Sequence, residues 1–120
     1  MKPLDLENRL IEFASRIIKL VEKLPNSSGA KHLGNQLLRS GTAPALNYGE
    51  AQAAESRVDF IHKMKICLKE LRETSVNLKL IQKHPYYPNN KLVPIIKESL
   101  ELIAIFTAST KTAIGKQNKA

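Results

Sequence analysis

The sequence predicts an all-α protein, an antiparallel up-and-down four-helix bundle. Four segments place apolar residues three and four positions apart, which is the period of an amphipathic helix, and none alternates as a half-buried strand does. Clusters of Pro, Asn, Ser and Gly separate these segments. The 120 residues suffice for one domain, residues 1–120, and four helices with short connections favour a bundle.

The first helix is predicted over residues 5–23, with Asp5 as its N-cap and a stop before Pro25. One apolar stripe on this helix predicts the side that faces the core: Leu6, Leu10, Phe13, Ile17, Leu20 and Leu24. A second stripe lies beside it: Ile11, Ala14, Ile18 and Val21. The two stripes together cover about half of the helix circumference, more than one neighbouring helix requires.

The second helix is predicted over residues 28–54, although Pro44 lies in its middle. Proline lacks the backbone N–H and clashes with the carbonyl of Ser40, so we expect a kink near Pro44 or a short break around residues 41–45. Small residues crowd this stretch and favour the close approach of another helix.

The third and fourth helices are predicted over residues 56–83 and 91–113. The third begins with a cap at Ser56, and the first turn of the fourth accommodates Pro94. The tail over residues 115–120 is expected to fray. Because the first and fourth helices are both apolar over a wide face, we expect the chain to form a homo-oligomer. The alternative is a monomer whose outer helices lie deep in one core.

Charge is the main functional signal, with 19 basic and 11 acidic residues giving a net charge of +8. The excess lies in the second half, since residues 1–25, 26–55, 56–84 and 85–120 carry +1, 0, +4 and +3. Five side chains of the third helix project within an arc of about 80°, and we predict that they contact nucleic-acid phosphates: Lys65, Lys69, Arg72, Lys79 and Lys83. For a single monomer, the alternative is an ordinary solvated helix face.

The remaining composition predicts a soluble protein of the cytoplasm that does not enter a membrane. The one cysteine, Cys67, has no partner for an internal disulfide and falls on an apolar stripe. The first residues carry alternating charges in place of the apolar region of a signal peptide. No apolar stretch approaches the roughly 18 residues of a membrane span.

Chemistry-bearing motifs are few, which predicts a non-enzymatic protein without a metal or other cofactor. The sequence has no metal-ligand spacing, no phosphate-binding glycine loop and no nucleophile elbow. The minority alternative is an enzyme that uses Glu50, Glu70 or His62 in a cleft.

Polar residues on and beside the second helix predict a structural polar network: Arg39, Ser40, Asn47, Glu50 and Glu70. Asn47 projects towards the core, where we expect it to bond a carbonyl freed by Pro44 or the side chain of Ser75. Glu50 lies at the border of the core. Ligand contact by Asn47 and Glu50 is the alternative interpretation.

Short motifs between Arg39 and Thr74 resemble a known family: Arg39-Ser40-Gly41-Thr42, Asn47-Tyr48, Glu50-Ala51, Ala54-Glu55-Ser56, Asp59-Phe60-Ile61-His62-Lys63, Lys69-Glu70 and Glu73-Thr74. The chain is similar to the four-helix bundle proteins of the intervening sequences of large-subunit ribosomal RNA genes, also described as ribosomal-protein-like. The resemblance implies a ring-shaped homopentamer. It also implies likeness to the basic accessory proteins of diversity-generating retroelements, which associate with a reverse transcriptase and with RNA.

These observations favour a homo-oligomeric basic scaffold that binds RNA or a ribonucleoprotein through phosphate contacts. The alternative is an adaptor ring whose basic face docks an acidic partner protein, such as a reverse-transcriptase-like protein. Salt-sensitive RNA retention distinguishes the first hypothesis, and recovery of a defined protein after nuclease treatment distinguishes the second.

Overall fold

The computed structural model describes residues 1–119, and in that part of the chain it contains four helices and no strand. They are α1 (Pro3–Glu22), α2 (Ser28–Gln52), α3 (Arg57–Lys83) and α4 (Asn89–Lys119). The prediction of an all-α chain with four helices is confirmed. Within residues 1–119, no helix combines the length and the apolar character needed to cross a membrane.

Consecutive helices run antiparallel and pack side by side in a body of 51 × 21 × 21 Å. Between α2 and α3, the partners Ser40 with Thr74 and Glu50 with Lys63 show that one helix ascends as the other descends. Side chains of all four helices form one core, whose largest fully buried members include Phe13, Leu37, Met64, Leu71 and Phe106. Helix α4 closes the bundle against α3 and, more loosely, against α1.

Serine hydroxyls cap two helix starts, at Ser56 as the sequence predicts and at Ser27, where the sequence predicts no cap. The Ser27 hydroxyl accepts a hydrogen bond from the Ala30 N–H at 3.3 Å, and the Ser56 hydroxyl accepts one from Asp59 N–H at 3.1 Å. The predicted N-cap of the first helix is wrong, because α1 begins at Pro3 and its N-cap is Lys2. Asp5 instead lies in the first turn, where its carboxylate accepts a hydrogen bond from the Lys2 backbone N–H at 3.3 Å.

Helix α2 continues through Pro44 without a break, so the expected break around residues 41–45 is wrong and the kink stays a prediction. Pro44 is buried, and its carbonyl oxygen lies 3.6 Å from the Cys67 sulfur of α3. One turn earlier, Gly41 lies against Ile17 of α1, since an added Cβ would be 2.8 Å from Ile17 Cγ2. The small residues of α2 thus permit the close approach to α1 that the sequence predicts.

The fourth helix is longer than the sequence predicts. It begins at Asn89, directly after Pro88, whose carbonyl accepts hydrogen bonds from the N–H groups of Lys91 and Leu92. Pro94 is therefore inside the helix and not in its first turn. The tail from residue 115 is helical up to Lys119, so the expectation that it frays there is wrong, and Ala120 lies outside the described residues.

The second apolar stripe of α1 is only partly covered within one chain. Ala14 is buried and Val21 is half-buried, whereas Ile11 is 53% exposed and Ile18 is 40% exposed. With Leu4, also exposed, they recur every seven residues along the outside of α1. This row of three, Leu4, Ile11 and Ile18, is termed the outer row of α1 below.

Candidate nucleic-acid interface

The five basic side chains predicted to contact phosphate lie on the exposed side of α3. Each of them is exposed: Lys65, Lys69, Arg72, Lys79 and Lys83. At 1.5 Å per residue, they extend over about 27 Å of the helix, roughly half the length of the bundle. None of the five forms an ion pair with another described residue. We call this set the basic row of α3.

Apolar side chains are interspersed in the basic row. Val76 is 57% exposed and Leu80 is 41% exposed, and both lie between the cations along the helix. The surface therefore offers aliphatic contact area in addition to positive charge. Lysine and arginine stems add to that area, because their methylene chains lie along apolar surface while the charged ends remain in water.

Two arginines from the first half of the chain pair with the acids of the second half. The Arg9 guanidinium of α1 donates two hydrogen bonds of 2.7 Å to Glu98 of α4 and lies 3.7 Å from Glu101. The Arg39 guanidinium of α2 contacts Glu70 of α3 at 2.9 Å and also pairs with Glu73. Each arginine thus binds two carboxylates on the neighbouring helix.

Both arginines remain cations in these pairs. The hydrogen bond from Arg9 to Glu98 is the main cause that raises the pKa of Arg9, and the charge of Glu70 is the main cause that raises the pKa of Arg39. Forked contact with carboxylates is the geometry that suits a guanidinium. Because the pairs are partly or largely exposed, we assign them a role in arranging surface charge and little of the folding free energy.

The ion pairs leave a strongly unequal surface. Residues 1–55 contain seven basic and six acidic residues, a net charge of +1, whereas residues 56–120 contain twelve basic and five acidic residues, a net charge of +7. Within residues 56–118, Asp59 is the one acid without an ion pair among the described residues. Ten basic side chains there are exposed and equally unpaired: Arg57, Lys65, Lys69, Arg72, Lys79, Lys83, Lys91, Lys97, Lys111 and Lys116.

Three of the five residues of the predicted polar network are connected by hydrogen bonds and an ion pair. The buried hydroxyls of Ser40 and Thr74 are hydrogen-bonded at 3.0 Å, and Thr74 Oγ1 lies 2.8 Å from the Glu70 carbonyl. Together with the pair between Arg39 and Glu70, these bonds connect Arg39, Ser40 and Glu70 across the contact between α2 and α3.

Asn47 and Glu50 are not part of that connection. The Asn47 amide donates to the Ala43 carbonyl of its own helix at 3.0 Å, and not to Ser75 or to the Ser40 carbonyl that Pro44 leaves free. Glu50 is exposed and lies 3.4 Å from Lys63.

The remaining candidates for chemistry are dispersed. Cys67 is fully buried, and burial raises the pKa of its thiol to about 12, so the thiol is protonated at neutral pH. His62 is exposed on α3. Among the described residues, no group of three or more His, Cys, Asp or Glu side chains is placed to hold a metal ion.

Comparison with known proteins identifies relatives over most of the chain. The family model described as 23S rRNA-intervening sequence protein matches residues 2–108. A crystal structure of a protein with unknown function from the S23 ribosomal protein family of Bacteroides thetaiotaomicron VPI-5482 is 35% identical, with a TM-score of 0.85. The match covers 92% of this chain and 99% of that one. None of the curated proteins compared with the chain matches it.

Proposed function

The chain belongs to the 23S rRNA-intervening sequence protein family, and we propose that it is a non-enzymatic, homo-oligomeric scaffold that binds RNA or a ribonucleoprotein in the cytoplasm. The observation that supports this proposal is the basic row of α3, where five exposed cations have no ion pair among the described residues. Phosphate groups are the ligand that such a row suits, since they are spaced along a polyanion and carry one charge each.

The proposed contact is with the backbone of the nucleic acid. The basic row contains no aromatic side chain and no amide that would recognise a base edge. Contacts to phosphate position a protein without selecting sequence, and their strength depends on the release of counterions. We therefore expect affinity for any duplex RNA, with a steep dependence on salt.

Self-association is part of the proposal and is supported by the outer row of α1. Leu4, Ile11 and Ile18 recur with the seven-residue spacing of a helix seam and remain exposed in one chain. A ring of five copies would have a mass of about 67 kDa against 13.4 kDa for the monomer. Multi-angle light scattering at micromolar concentration measures this directly, and a clean monomer would contradict the proposal.

Salt dependence of binding to duplex RNA tests the phosphate contact. With five contacts per chain, the slope of log K against log salt is about −4.5, which is about a 500-fold loss between 50 and 200 mM salt. In the triple variant Lys65→Glu, Arg72→Glu and Lys79→Glu, we expect a slope of about −2 and weaker binding at every salt concentration.

The control variant reverses three lysines of α1, α2 and the turn between them: Lys19→Glu, Lys23→Glu and Lys31→Glu. These lysines are also exposed and unpaired among the described residues, so the net charge changes by the same amount as in the first triple variant. If both triple variants bind RNA equally, net charge alone explains binding and the proposed role of the basic row is refuted.

An adaptor for an acidic protein is the second candidate, favoured by Val76 and Leu80 among the cations. Aliphatic side chains add contact area with a folded protein surface and contribute little to a phosphate backbone. A pull-down from the native host after nuclease treatment separates the candidates. The adaptor hypothesis would be supported by a defined acidic protein that the wild type recovers in the pull-down and the variant Val76→Ser does not.

A further inference from the structure

Two concave pockets lie side by side at the end of the bundle where α1 and α3 begin. Their volumes are about 430 Å³ and about 420 Å³, each within the range of small-molecule sites. Phe60, Ala108 and Ser109 line both pockets, so the Phe60 ring forms part of each. We refer to the two together as the Phe60 cleft.

The first pocket of the cleft is mainly apolar and has an aromatic lining. Phe60 is half-buried there, and Tyr48 is held in place by an edge contact with Phe106, with ring centroids 5.6 Å apart. Met64, Ile105 and residues from the start of the chain, among them Leu6, add to the apolar surface. The polar groups are the Tyr48 hydroxyl, the Gln52 amide and the Ser109 hydroxyl, and none of them has a hydrogen-bond partner among the described residues.

The second pocket carries positive charge. Arg57 and Lys116 line it from α3 and α4, and both are exposed and unpaired among the described residues. Arg57 is the first residue of α3, so the positive end of the helix dipole adds to the charge of the two side chains. The hydroxyl-bearing side chains Ser109 and Thr112 supply further donors. This side of the cleft suits an anion.

We propose that the Phe60 cleft binds one unpaired nucleotide of RNA, with the base against Phe60 and the phosphate on Arg57 and Lys116. The inference rests on the proposed function and specifies its substrate as RNA with single-stranded ends or loops. A nucleotide has a flat base with polar edges and, close to it, a phosphate. The base suits the apolar first pocket, and the phosphate suits the positively charged second pocket. Bases inside a duplex are stacked and do not enter such a cleft.

A fatty acid is the other ligand class that the apolar and cationic pockets admit. An acyl chain would fill the first pocket and cover the Tyr48 hydroxyl without offering it a hydrogen-bond partner, whereas the exposed Gln52 amide can still contact water. A base edge satisfies such groups with its own donors and acceptors, and buried polar groups without partners are costly. The cleft therefore favours the nucleotide.

Two probes test the site in the full-length protein: adenosine monophosphate alone, and a ten-nucleotide single-stranded RNA compared with a duplex of equal length. In the variant Phe60→Leu, which retains apolar volume and removes the ring, we expect about a tenfold loss of affinity for single-stranded RNA. We expect duplex affinity within twofold of the wild type. The pair of substitutions Arg57→Gln and Lys116→Gln lies on the surface and should weaken adenosine monophosphate binding similarly without affecting folding.

The matched control replaces Arg72 and Lys79 of the basic row by Gln, removing the same charge. We expect this control to weaken duplex binding and to leave the affinity for adenosine monophosphate unchanged. The cleft inference is overturned if both cleft variants, Phe60→Leu and the Arg57 and Lys116 pair, bind single-stranded RNA like the wild type. If the control loses duplex binding in the same experiment, the proposed function stands. The opposite result is that the control keeps its affinity for duplex RNA while Phe60→Leu loses affinity for adenosine monophosphate. In that case the cleft inference stands and the proposed role of the basic row is refuted.

Decanoate provides the test of the other ligand class. We expect it to displace adenosine monophosphate weakly or not at all. The inference is overturned if decanoate binds more tightly than adenosine monophosphate and if Phe60→Leu leaves the affinity for decanoate unchanged. That result would assign the cleft to an acyl chain.

Discussion

The α1–α2 half and the α3–α4 half of the bundle differ in how their surface charge is balanced. Both expose apolar side chains, among them Ile11 on α1 and Val76 on α3. In the α3–α4 half, Arg9 and Arg39 occupy four of the five acids, so its unpaired cations are not balanced by unpaired acids. In the α1–α2 half, unpaired lysines such as Lys19 coexist with unpaired acids such as Glu22 among the described residues. The comparison shows that surface potential depends on which helix supplies each ion-pair partner, in addition to composition.

The largest expected effect concerns self-association through the α1–α2 half. In the double variant Ile11→Glu and Ile18→Glu, two charges would be buried in any contact made by the outer row of α1, so we expect the oligomer to dissociate to a 13.4 kDa monomer. Light scattering gives the mass, and circular dichroism checks that helix content is retained.

Val76→Glu is the control for that variant, because Val76 is similarly exposed but lies in the basic row of α3. It should leave the oligomer intact and weaken RNA binding. Loss of the oligomer in Val76→Glu but not in the α1 variant would reverse the roles that we assign to the two halves.

The second prediction compares two glycines of α2. A Cβ at Gly41 would lie 2.8 Å from the buried Ile17 side chain, whereas a Cβ at Gly49 would have no atom within 4 Å. Gly41→Ala should therefore lower the free energy of unfolding by about 1–2 kcal/mol, since crowding outweighs the gain in helix propensity. Gly49→Ala should raise it by about 0.5–1 kcal/mol.

Urea denaturation of both glycine variants measures this difference. Equal effects of the two substitutions would show that helix propensity, and not the close contact between α1 and α2, determines the outcome.

The third prediction concerns Cys67, which lies at the boundary between the halves and faces the Pro44 carbonyl. Its pKa is raised from 9 to about 12, so between these pH values the native state holds a proton that the unfolded state has released. The contribution of Cys67 to the free energy of unfolding is therefore fully present below pH 9. It falls as pH rises towards 12, by at most about 1.4 kcal/mol per pH unit.

Urea denaturation between pH 8 and pH 10.5 measures this dependence in the wild type and in Cys67→Ala. The alanine variant is expected to be less stable at pH 8 because of the cavity, but to lose less stability as pH rises. Parallel pH profiles would exclude Cys67 as the group responsible.

The smallest expected effect concerns the ion pairs that Arg39 forms with Glu70 and Glu73. In Arg39→Gln, Glu70 and Glu73 lose their guanidinium partner and contribute free negative charge beside the basic row. We expect a two- to threefold loss of RNA affinity at low salt. Lys31→Gln removes the same charge from α2 without exposing an acid, and it should have less effect than Arg39→Gln.

Much of the fold is predictable from the sequence because its signals are local. Apolar spacing and the cap at Ser56 identify the helices, and the crowding of small residues around Gly41 predicts a close helix contact. The predictions that fail concern helix ends, the break around residues 41–45 and the hydrogen-bond partner of Asn47. Residues 116–119 of α4 are polar, and their helical conformation continues a helix whose Ala113 is still buried.

The candidate sites depend on partners far apart in the chain. The basic row follows from helical geometry, but the pairing of Arg9 with Glu98 joins residues separated by 89 positions. No local pattern indicates which acids these arginines occupy. The Phe60 cleft likewise requires the start of α3 to meet the later part of α4, and the spacing of Phe60 alone predicts only a core position.

The two arginines also concentrate the unbalanced positive charge of the folded chain on its α3–α4 side, because they occupy four of the five acids there. In the unfolded chain, Glu70 and Glu73 lie close in sequence to Lys69 and Arg72, and no long-range pairing separates the charges. Folding therefore creates directionality that the amino-acid composition lacks. On a cation-exchange matrix, the native protein should adsorb in one orientation, and its retention should report tertiary structure as well as net charge.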